Sequence, residues 1–177
     1  MRKKLCLIIF ILLAMIVAQA SEKEDVWKPM KNLVGKWEGK GEGKSGNATV
    51  AKDFQFVLQE KFLQLRTKAV FEPQEKNPKG EVHEDWGFFS SDRARKKIVF
   101  RQFHVEGFII QYILDDISGE GKTLVFNSEQ IENGPPGLKA KLMFKFIDNN
   151  TLEESFHLAF PEQDFSCYIT NFLKRKK

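Results

Sequence analysis

Residues 36–44 alternate strictly between charged side chains and residues that carry no charge. The charged phase is formed by Lys36, Glu38, Lys40, Glu42 and Lys44, and the other phase by Trp37, Gly39, Gly41 and Gly43. Because successive side chains of a β-strand point to opposite faces, this two-residue period predicts a strand with one wet face. The glycines of the other face leave room for a bulky neighbour, a bend or a ligand.

Segments of similar character, separated by turn signals, fill the rest of the chain. We predict further strands at residues 49–59, 61–72, 81–89, 97–104, 107–114, 123–131, 138–147, 151–160 and 163–173. Most connections are too short for parallel crossovers, which favours an antiparallel sheet. Regular short strands are typical of a sandwich or a barrel, and the 17 Phe residues suit the inside of a closed barrel. We therefore predict an all-β fold, an antiparallel β-barrel of about ten strands.

The first 20 residues have the three parts of an export signal. Residues 2–4 are basic, residues 5–17 are apolar, and residues 18–20 read Ala-Gln-Ala, a small-residue cleavage site. We predict a signal peptide at residues 1–20, cut after Ala20, and a secreted or periplasmic mature protein. The alternative is a retained anchor, for which the apolar run is short against the roughly 20 residues of a membrane span. We expect no transmembrane span in the mature chain, a leader with a short helical turn at residues 21–34, and one barrel domain at residues 35–177.

The charge balance of the mature chain argues against a nucleic-acid partner. Without Arg2, Lys3 and Lys4, the 28 basic residues fall to 25 against 24 acidic ones, a net charge of +1. A nucleic-acid-binding protein generally shows a basic face. Cys167 is then the one cysteine that remains, so no internal disulfide can form and the fold needs a real core. Its position in an aromatic strand predicts a buried thiol.

Polar residues are concentrated inside otherwise aromatic strands between residues 100 and 112. They are Arg101, Gln102, His104, Glu106 and Gln111. Because buried polar groups need partners, we expect some of them to line a partly polar cavity. Histidines of three strands can form a metal site, but no close pair has ligand spacing, and a hydrogen-bonded structural role is the alternative for each. No arrangement of nucleophile and base is visible, so a binding protein is favoured over an enzyme.

The motif Gly35-Lys36-Trp37 resembles the start of the first strand in calycins, the group of lipocalins and fatty-acid-binding proteins. This likeness implies a Trp37 that packs across the closed end of the barrel, under Arg175 or Lys174 as its cation–π partner. Residues 33–43 more narrowly resemble the opening of the nitrobindin family, whose domain is also the heme-binding part of a THAP zinc-finger protein. Residues 82–88 and 169–175 resemble the second block and the terminal strand of that family, and residues 100–112 look like exported bacterial barrels of unknown function.

The resemblance implies a ten-stranded barrel that binds ferric heme at one mouth, with nitric oxide and peroxynitrite chemistry. In that family a His precedes the terminal-strand block, and here the position holds Tyr168. Tyr168 is therefore the first candidate for the heme iron ligand, because a phenolate ligates ferric heme in catalase-type sites. Arg101 would then neighbour the phenol, His83 would lie across the pocket, and His104 is the reserve ligand.

The predicted ligand-binding residues are Tyr168, His83, His104, Arg101, Glu106, Tyr112 and Trp37. We expect an exported barrel that binds a small apolar or amphipathic ligand, with heme as the leading cofactor. A carrier of lipid or another apolar molecule without heme is the alternative. A third reading is an enzyme of the peroxynitrite isomerase type.

Overall fold

The computed structural model describes residues 25–177. The predicted signal peptide, residues 1–20, and the first residues of the leader lie outside the described residues. A 3₁₀-helix (Lys28–Leu33) precedes ten strands. The strands are β1 (Gly35–Gly43), β2 (Gly46–Val57), β3 (Phe62–Phe71), β4 (Glu81–Asp92), β5 (Lys97–His104), β6 (Ile109–Ser118), β7 (Thr123–Glu132), β8 (Lys139–Asp148), β9 (Thr151–Ala159) and β10 (Ser166–Arg175).

The ten strands form one closed antiparallel barrel. Each strand pairs with its neighbours in sequence, and β1 closes the ring by pairing with β10. Closure removes the unpaired edges that an open sheet would present. The predicted all-β, antiparallel ten-stranded barrel with a short helical turn before its first strand is therefore confirmed. Among residues 25–177, no helix has the length and apolar character that a membrane span requires.

The 3₁₀-helix and the first strand close one end of the barrel. Pro29 stands in the first turn of the helix, where its missing N–H costs nothing. Met30 and Leu33 point inward and are fully buried. The indole N–H of Trp37, which is also fully buried, donates a hydrogen bond of 2.7 Å to the carbonyl of Leu33. Helix and strand are thus locked together over the core.

Aromatic side chains fill the half of the barrel nearest the helix. Phe89 and Phe100 stack with their ring centroids 3.9 Å apart. Phe126 meets both rings edge-on, and Phe144 meets Phe54 in the same manner. All five rings are buried. Offset and edge-on contacts are the favoured arrangements of aromatic rings, so these side chains form a well-packed core in this half of the barrel.

The glycines of β1 make room for β10. A Cβ atom at Gly39 would overlap the backbone carbonyl of Phe172, and one at Gly41 would overlap the side chain of Asn171. The glycines of β1 therefore allow the backbone of β10 to approach closely at Gly39, and they leave room for the Asn171 side chain at Gly41.

The predicted burial of Cys167 is wrong. Its thiol is exposed on the outer face of the barrel. The pairing of β10 with β9 shifts register between Cys167 and Ile169, which marks a β-bulge. A bulge inserts one residue into a strand and so reverses the inward–outward alternation beyond it. The phase of the last strand was therefore not readable from its alternation.

Candidate functional site

A cavity of about 410 Å³ occupies the end of the barrel opposite the helix. Side chains of the strands line its inner part, and Ser45, Asn133, Gly134 and Pro135 from the connecting loops line its outer part. This volume falls within the range of about 300–1,000 Å³ that small-molecule sites occupy. The cavity is therefore the candidate ligand site of the protein.

Apolar side chains interrupted by polar ones line the cavity. Most of the apolar lining comes from β6 to β10 and the loops beside them, and the rest from β2 and β3. It consists of Val50, Ala69, Phe71, Phe108, Ile110, Ile131, Leu138, Leu142, Phe156, Leu158 and Ile169. The polar side chains lie on β2 to β5, β9 and β10, at the floor and along one wall. Such a lining suits a ligand with an extended apolar surface and a few polar groups.

A buried ion pair forms the polar floor of the cavity. The Lys52 ammonium lies 2.9 Å from Glu154, and their side chains are only 3% and 4% exposed. Thr67 accepts a hydrogen bond from Lys52 at 3.0 Å, and Asn171 donates one to Glu154 at 2.7 Å. Asn171 Oδ1 is buried and has no hydrogen-bond partner among the described residues.

This ion pair was not predicted from the sequence, although the sequence pattern indicates it. Lys52 stands between Val50 and Phe54 in the inward phase of β2, and all three side chains are buried. Glu154 holds the corresponding inward phase of β9, two residues after the buried Leu152. A charged residue within an apolar phase on each of two strands indicates a buried pair, because an unpaired buried charge is very costly.

His83, Asp85 and Glu106 form a connected polar wall at β4 and the turn after β5. His83 Nδ1 lies 2.7 Å from Glu106 Oε1, and His83 Nε2 lies 3.5 Å from Asp85 Oδ2. The amide of Gln102 donates a hydrogen bond of 2.7 Å to Asp85 Oδ1. All four side chains line the cavity.

The charges of this wall support one another. The Asp85 carboxylate raises the pKa of His83 above its ordinary value in spite of burial, and Glu106 adds to the effect. Burial alone would raise the pKa of Asp85, but His83, Lys52 and the Gln102 amide stabilise its carboxylate and lower that pKa to about 2. Asp85 is therefore a fixed negative charge beside the cavity at neutral pH.

His104 lines the same wall without a hydrogen-bond partner. Its ring stacks on Phe108 with centroids 4.2 Å apart and lies 5.8 Å from the His83 ring. Both ring nitrogens are buried, and neither has a hydrogen-bond partner within residues 25–177. Burial lowers the pKa of His104 to about 4, so the ring is neutral at physiological pH. A neutral imidazole with an unused nitrogen is a ready ligand for a metal ion.

Tyr168 lies on the opposite wall of the cavity. Its strand, β10, is five strands away from β5 in either direction around the ring. The phenol oxygen lies 3.1 Å from the Ser45 hydroxyl, and the ring meets Phe156 edge-on at 6.1 Å. Tyr168 is half-buried and lines the cavity together with Ser45.

The structure brings together four of the seven predicted site residues, namely Tyr168, His83, His104 and Glu106. The other three do not line the cavity. Arg101 is exposed, because it alternates with the inward Phe100 and Gln102 on β5, so it is no neighbour of the Tyr168 phenol.

Tyr112 and Trp37 lie below the cavity in the closed half. The Tyr112 ring stacks on Phe100 with centroids 5.6 Å apart and is completely buried. Its hydroxyl has no partner among the described residues, and burial raises its pKa well above the ordinary value. Trp37 lies at the closed end of the barrel, where its indole is hydrogen-bonded to Leu33 of the 3₁₀-helix.

The residues of this cavity fit a heme. Phenol and imidazole groups, both of which serve as axial ligands of heme iron, stand on opposite walls as Tyr168 and His104. The imidazole has no other hydrogen-bond partner in the described part of the chain. The apolar lining between the two walls suits the faces of a macrocycle.

Comparison with known proteins extends this picture. A family model described as a THAP4-like, heme-binding beta-barrel domain matches residues 26–175. The crystal structure of Rv2717c from M. tuberculosis is similar in fold, with a TM-score of 0.63 and 16% sequence identity over 86% of this chain and 98% of that chain.

Two further barrels match less well. They are EF1p2_mFAP2b bound to DFHBI, with a TM-score of 0.45 and 9% identity over 86% of this chain and 100% of that chain, and a redesigned beta barrel, b11L5F_LGL, with a TM-score of 0.41 and 10% identity over 85% and 96%. No curated protein matches the chain.

Proposed function

Because the chain belongs to the family of THAP4-like, heme-binding β-barrel domains, we propose that heme is the ligand of this small-ligand-binding barrel. The observation that carries the proposal is the pairing of a phenol on one wall of the cavity with an imidazole on the other, across an apolar lining. When bound, ferric heme supplies an iron centre for binding small oxygen and nitrogen species.

Tyr168 is the residue that we propose to hold the iron. It stands immediately before the terminal-strand block, where the family has its ligating His. Its side chain lines the cavity, and its oxygen contacts Ser45. The Ser45 hydroxyl, 3.1 Å from the phenol oxygen, would hold that oxygen in place.

The remaining cavity residues orient the ligand and exclude water. His104 and His83 lie on the wall opposite Tyr168, and His104 is the reserve ligand should Tyr168 not hold the iron. Phe108, Phe156 and Leu142 supply apolar contact surface. The Lys52–Glu154 pair forms the floor on which the bound ligand would rest.

Heme titration of the protein tests this proposal. We expect an intense Soret band and ferric charge-transfer bands on addition of hemin to the wild type. Tyr168→Phe keeps the ring and deletes the ligating oxygen, so it should abolish those charge-transfer bands or weaken heme binding at least tenfold. Tyr112→Phe is the matched control, because it deletes a phenol that does not line the cavity.

Two outcomes contradict the proposal. A wild-type protein that takes up no heme refutes it. The alternative function, a carrier of lipid or another apolar molecule without heme, would then remain. An unchanged spectrum of heme-loaded Tyr168→Phe refutes Tyr168 as the ligand. The same heme titration is then carried out on His104→Ala. Peroxynitrite isomerase activity would require turnover by the heme-loaded protein in addition to binding.

We also propose that the protein works outside the cytoplasm, as a secreted or periplasmic protein. The basic, apolar and small-residue parts of residues 1–20 support this proposal. Mass spectrometry of the protein from its own host tests it: a chain that begins at Ser21 agrees with export and cleavage, and an intact Met1 contradicts cleavage.

A further inference from the structure

Three metal-binding side chains meet on the wall formed by β4 and β5. His83 and Asp85 share the inward face of β4, and Asp85 pairs directly with His104 across the ladder to β5. One ligand atom from each of the three side chains lies within 4.8 Å of the others. We propose that in the heme-free protein His83, Asp85 and His104 form a binding site for a first-row transition-metal dication, on the wall opposite Tyr168.

The distance between His83 and Asp85 suits a shared metal ion better than a direct contact. Their facing atoms, Nε2 and Oδ2, are 3.5 Å apart, which is long for a hydrogen bond to a carboxylate. Two ligand atoms that each lie about 2.1 Å from a tetrahedral ion are about 3.4 Å from one another. An ion can therefore enter between the two groups with little movement of either.

The neighbouring side chains hold both ligands in the orientation that a metal needs. Glu106 bonds to His83 Nδ1, which leaves Nε2 for the ion. Gln102 donates to Asp85 Oδ1, which leaves Oδ2 facing Nε2. A carboxylate or amide behind a metal ligand is the usual support of such ligands and fixes the tautomer of a His.

His104 supplies the third ligand and the clearest sign that something is to be bound. Its two ring nitrogens are shielded from water, and neither finds a partner within residues 25–177. Buried polar atoms are paired in nearly all folded proteins, so an orphaned imidazole at a cavity wall indicates a partner that enters from the cavity. Phe108 fixes the plane of the ring by stacking on it.

Two imidazoles and one carboxylate define the class of ion. This donor set suits zinc in sites with an open position and ferrous iron in sites that bind a further oxygen ligand, whereas calcium and magnesium prefer oxygen donors alone. The three side chains line the cavity, so the remaining coordination positions face its interior. Water or an oxygen atom of a cavity ligand would occupy them.

The experiment uses protein freed of heme and of metal by a chelator, titrated with Co²⁺ as a spectroscopic probe and with Zn²⁺ as its competitor. We expect one Co²⁺ per chain, with visible absorption that Zn²⁺ abolishes. Replacing a ligand, in His104→Ala or Asp85→Asn, should weaken Zn²⁺ binding by more than Glu106→Gln, for which about 10–100-fold is expected from the loss of a supporting group.

His157→Ala is the matched control. This third histidine lies outside the cavity lining on β9, where its Nε2 lies 3.0 Å from the Ser155 hydroxyl. It should bind Co²⁺ and Zn²⁺ as the wild type does. Tyr168→Phe should also keep the metal affinity, which separates a failure of this site from a failure of heme binding.

Either of two results overturns the proposal: no Co²⁺ or Zn²⁺ binding by the wild type, or equal affinity in His104→Ala and the wild type. Circular dichroism establishes that each variant is folded. Should His104→Ala unfold, His104→Phe replaces it, because that change keeps an aromatic ring against Phe108 and removes the nitrogens. Undiminished affinity of that variant refutes the site equally.

Discussion

The guanidinium carbon of Arg175 lies 4.1 Å from the ring centroid of Trp37. The same guanidinium donates hydrogen bonds to the backbone carbonyls of Asn32 and Val34, at 2.7 and 2.5 Å. Of the two basic residues that the calycin likeness offered, Arg175 is therefore the partner of Trp37. The Arg175 side chain, which comes from the last strand, thus links the 3₁₀-helix to the first strand.

Truncation of Trp37 should strongly lower the stability of the fold. We expect Trp37→Ala to lower the free energy of unfolding by about 3–5 kcal/mol, because it leaves a cavity and removes a buried hydrogen-bond donor. Urea denaturation measures the loss. Trp86→Ala is the control, since Trp86 is 51% exposed on the outer face and should cost much less. A loss below roughly 1 kcal/mol for Trp37→Ala would contradict its packing role.

The contributions of Lys52 and Glu154 to the free energy of unfolding should depend strongly on one another. Lys52→Met leaves Glu154 buried without its cation, and we expect a loss of about 3–5 kcal/mol in the free energy of unfolding. The double variant Lys52→Met/Glu154→Leu removes both charges and should regain most of that stability. A double-mutant cycle by urea denaturation checks this, and additive losses from the two single changes would contradict the coupling.

Asp85 should make the metal-free protein sensitive to acid. Its pKa is lowered to about 2 in the folded state, so its stabilising contribution is complete above the unfolded value near 3.8 and is lost as the pH falls through the folded value. We expect a contribution on the order of 2 kcal/mol to disappear between about pH 4 and pH 2. Unfolding measured against pH with a chelator present tests it, and Asp85→Asn should flatten the curve in that window.

His104 should destabilise the protein when no ligand is bound in the cavity. Burying polar atoms without partners costs about 1–3 kcal/mol, so we expect His104→Phe to raise the unfolding free energy of the ligand-free protein by roughly 1 kcal/mol. His157→Phe, outside the cavity lining, should not. A destabilised His104→Phe would mean that the imidazole is satisfied in a way that the described contacts do not contain.

The sequence predicted the barrel well because its evidence is local. Alternation in residues 36–44 and in the strand after the double proline is a property of neighbouring residues, and so are the turns between strands. The site was predicted only in part. Asp85 meets His104, and Lys52 meets Glu154, through strand pairing and barrel closure, which bring together residues far apart in the chain. Nothing in either local segment specifies its partner.

The directions of the side chains around the bulge on β10 could not be predicted from the sequence, for a different reason. It places Tyr168 and Ile169, which are adjacent in sequence, on the same cavity lining and turns Cys167 outward. Register shifts of this kind depend on how two strands fit, so a single strand read alone does not reveal them.

The outward turn of Cys167 gives the barrel an external attachment point beside its interior. A thiol-reactive fluorophore on this residue would sit on the outer face, one residue from the wall that carries Tyr168, while leaving the cavity empty. Energy transfer from such a dye to any absorbing molecule inside would report occupancy in real time. The irregularity that obscured the last strand in the sequence thus makes the filling of the barrel visible from outside.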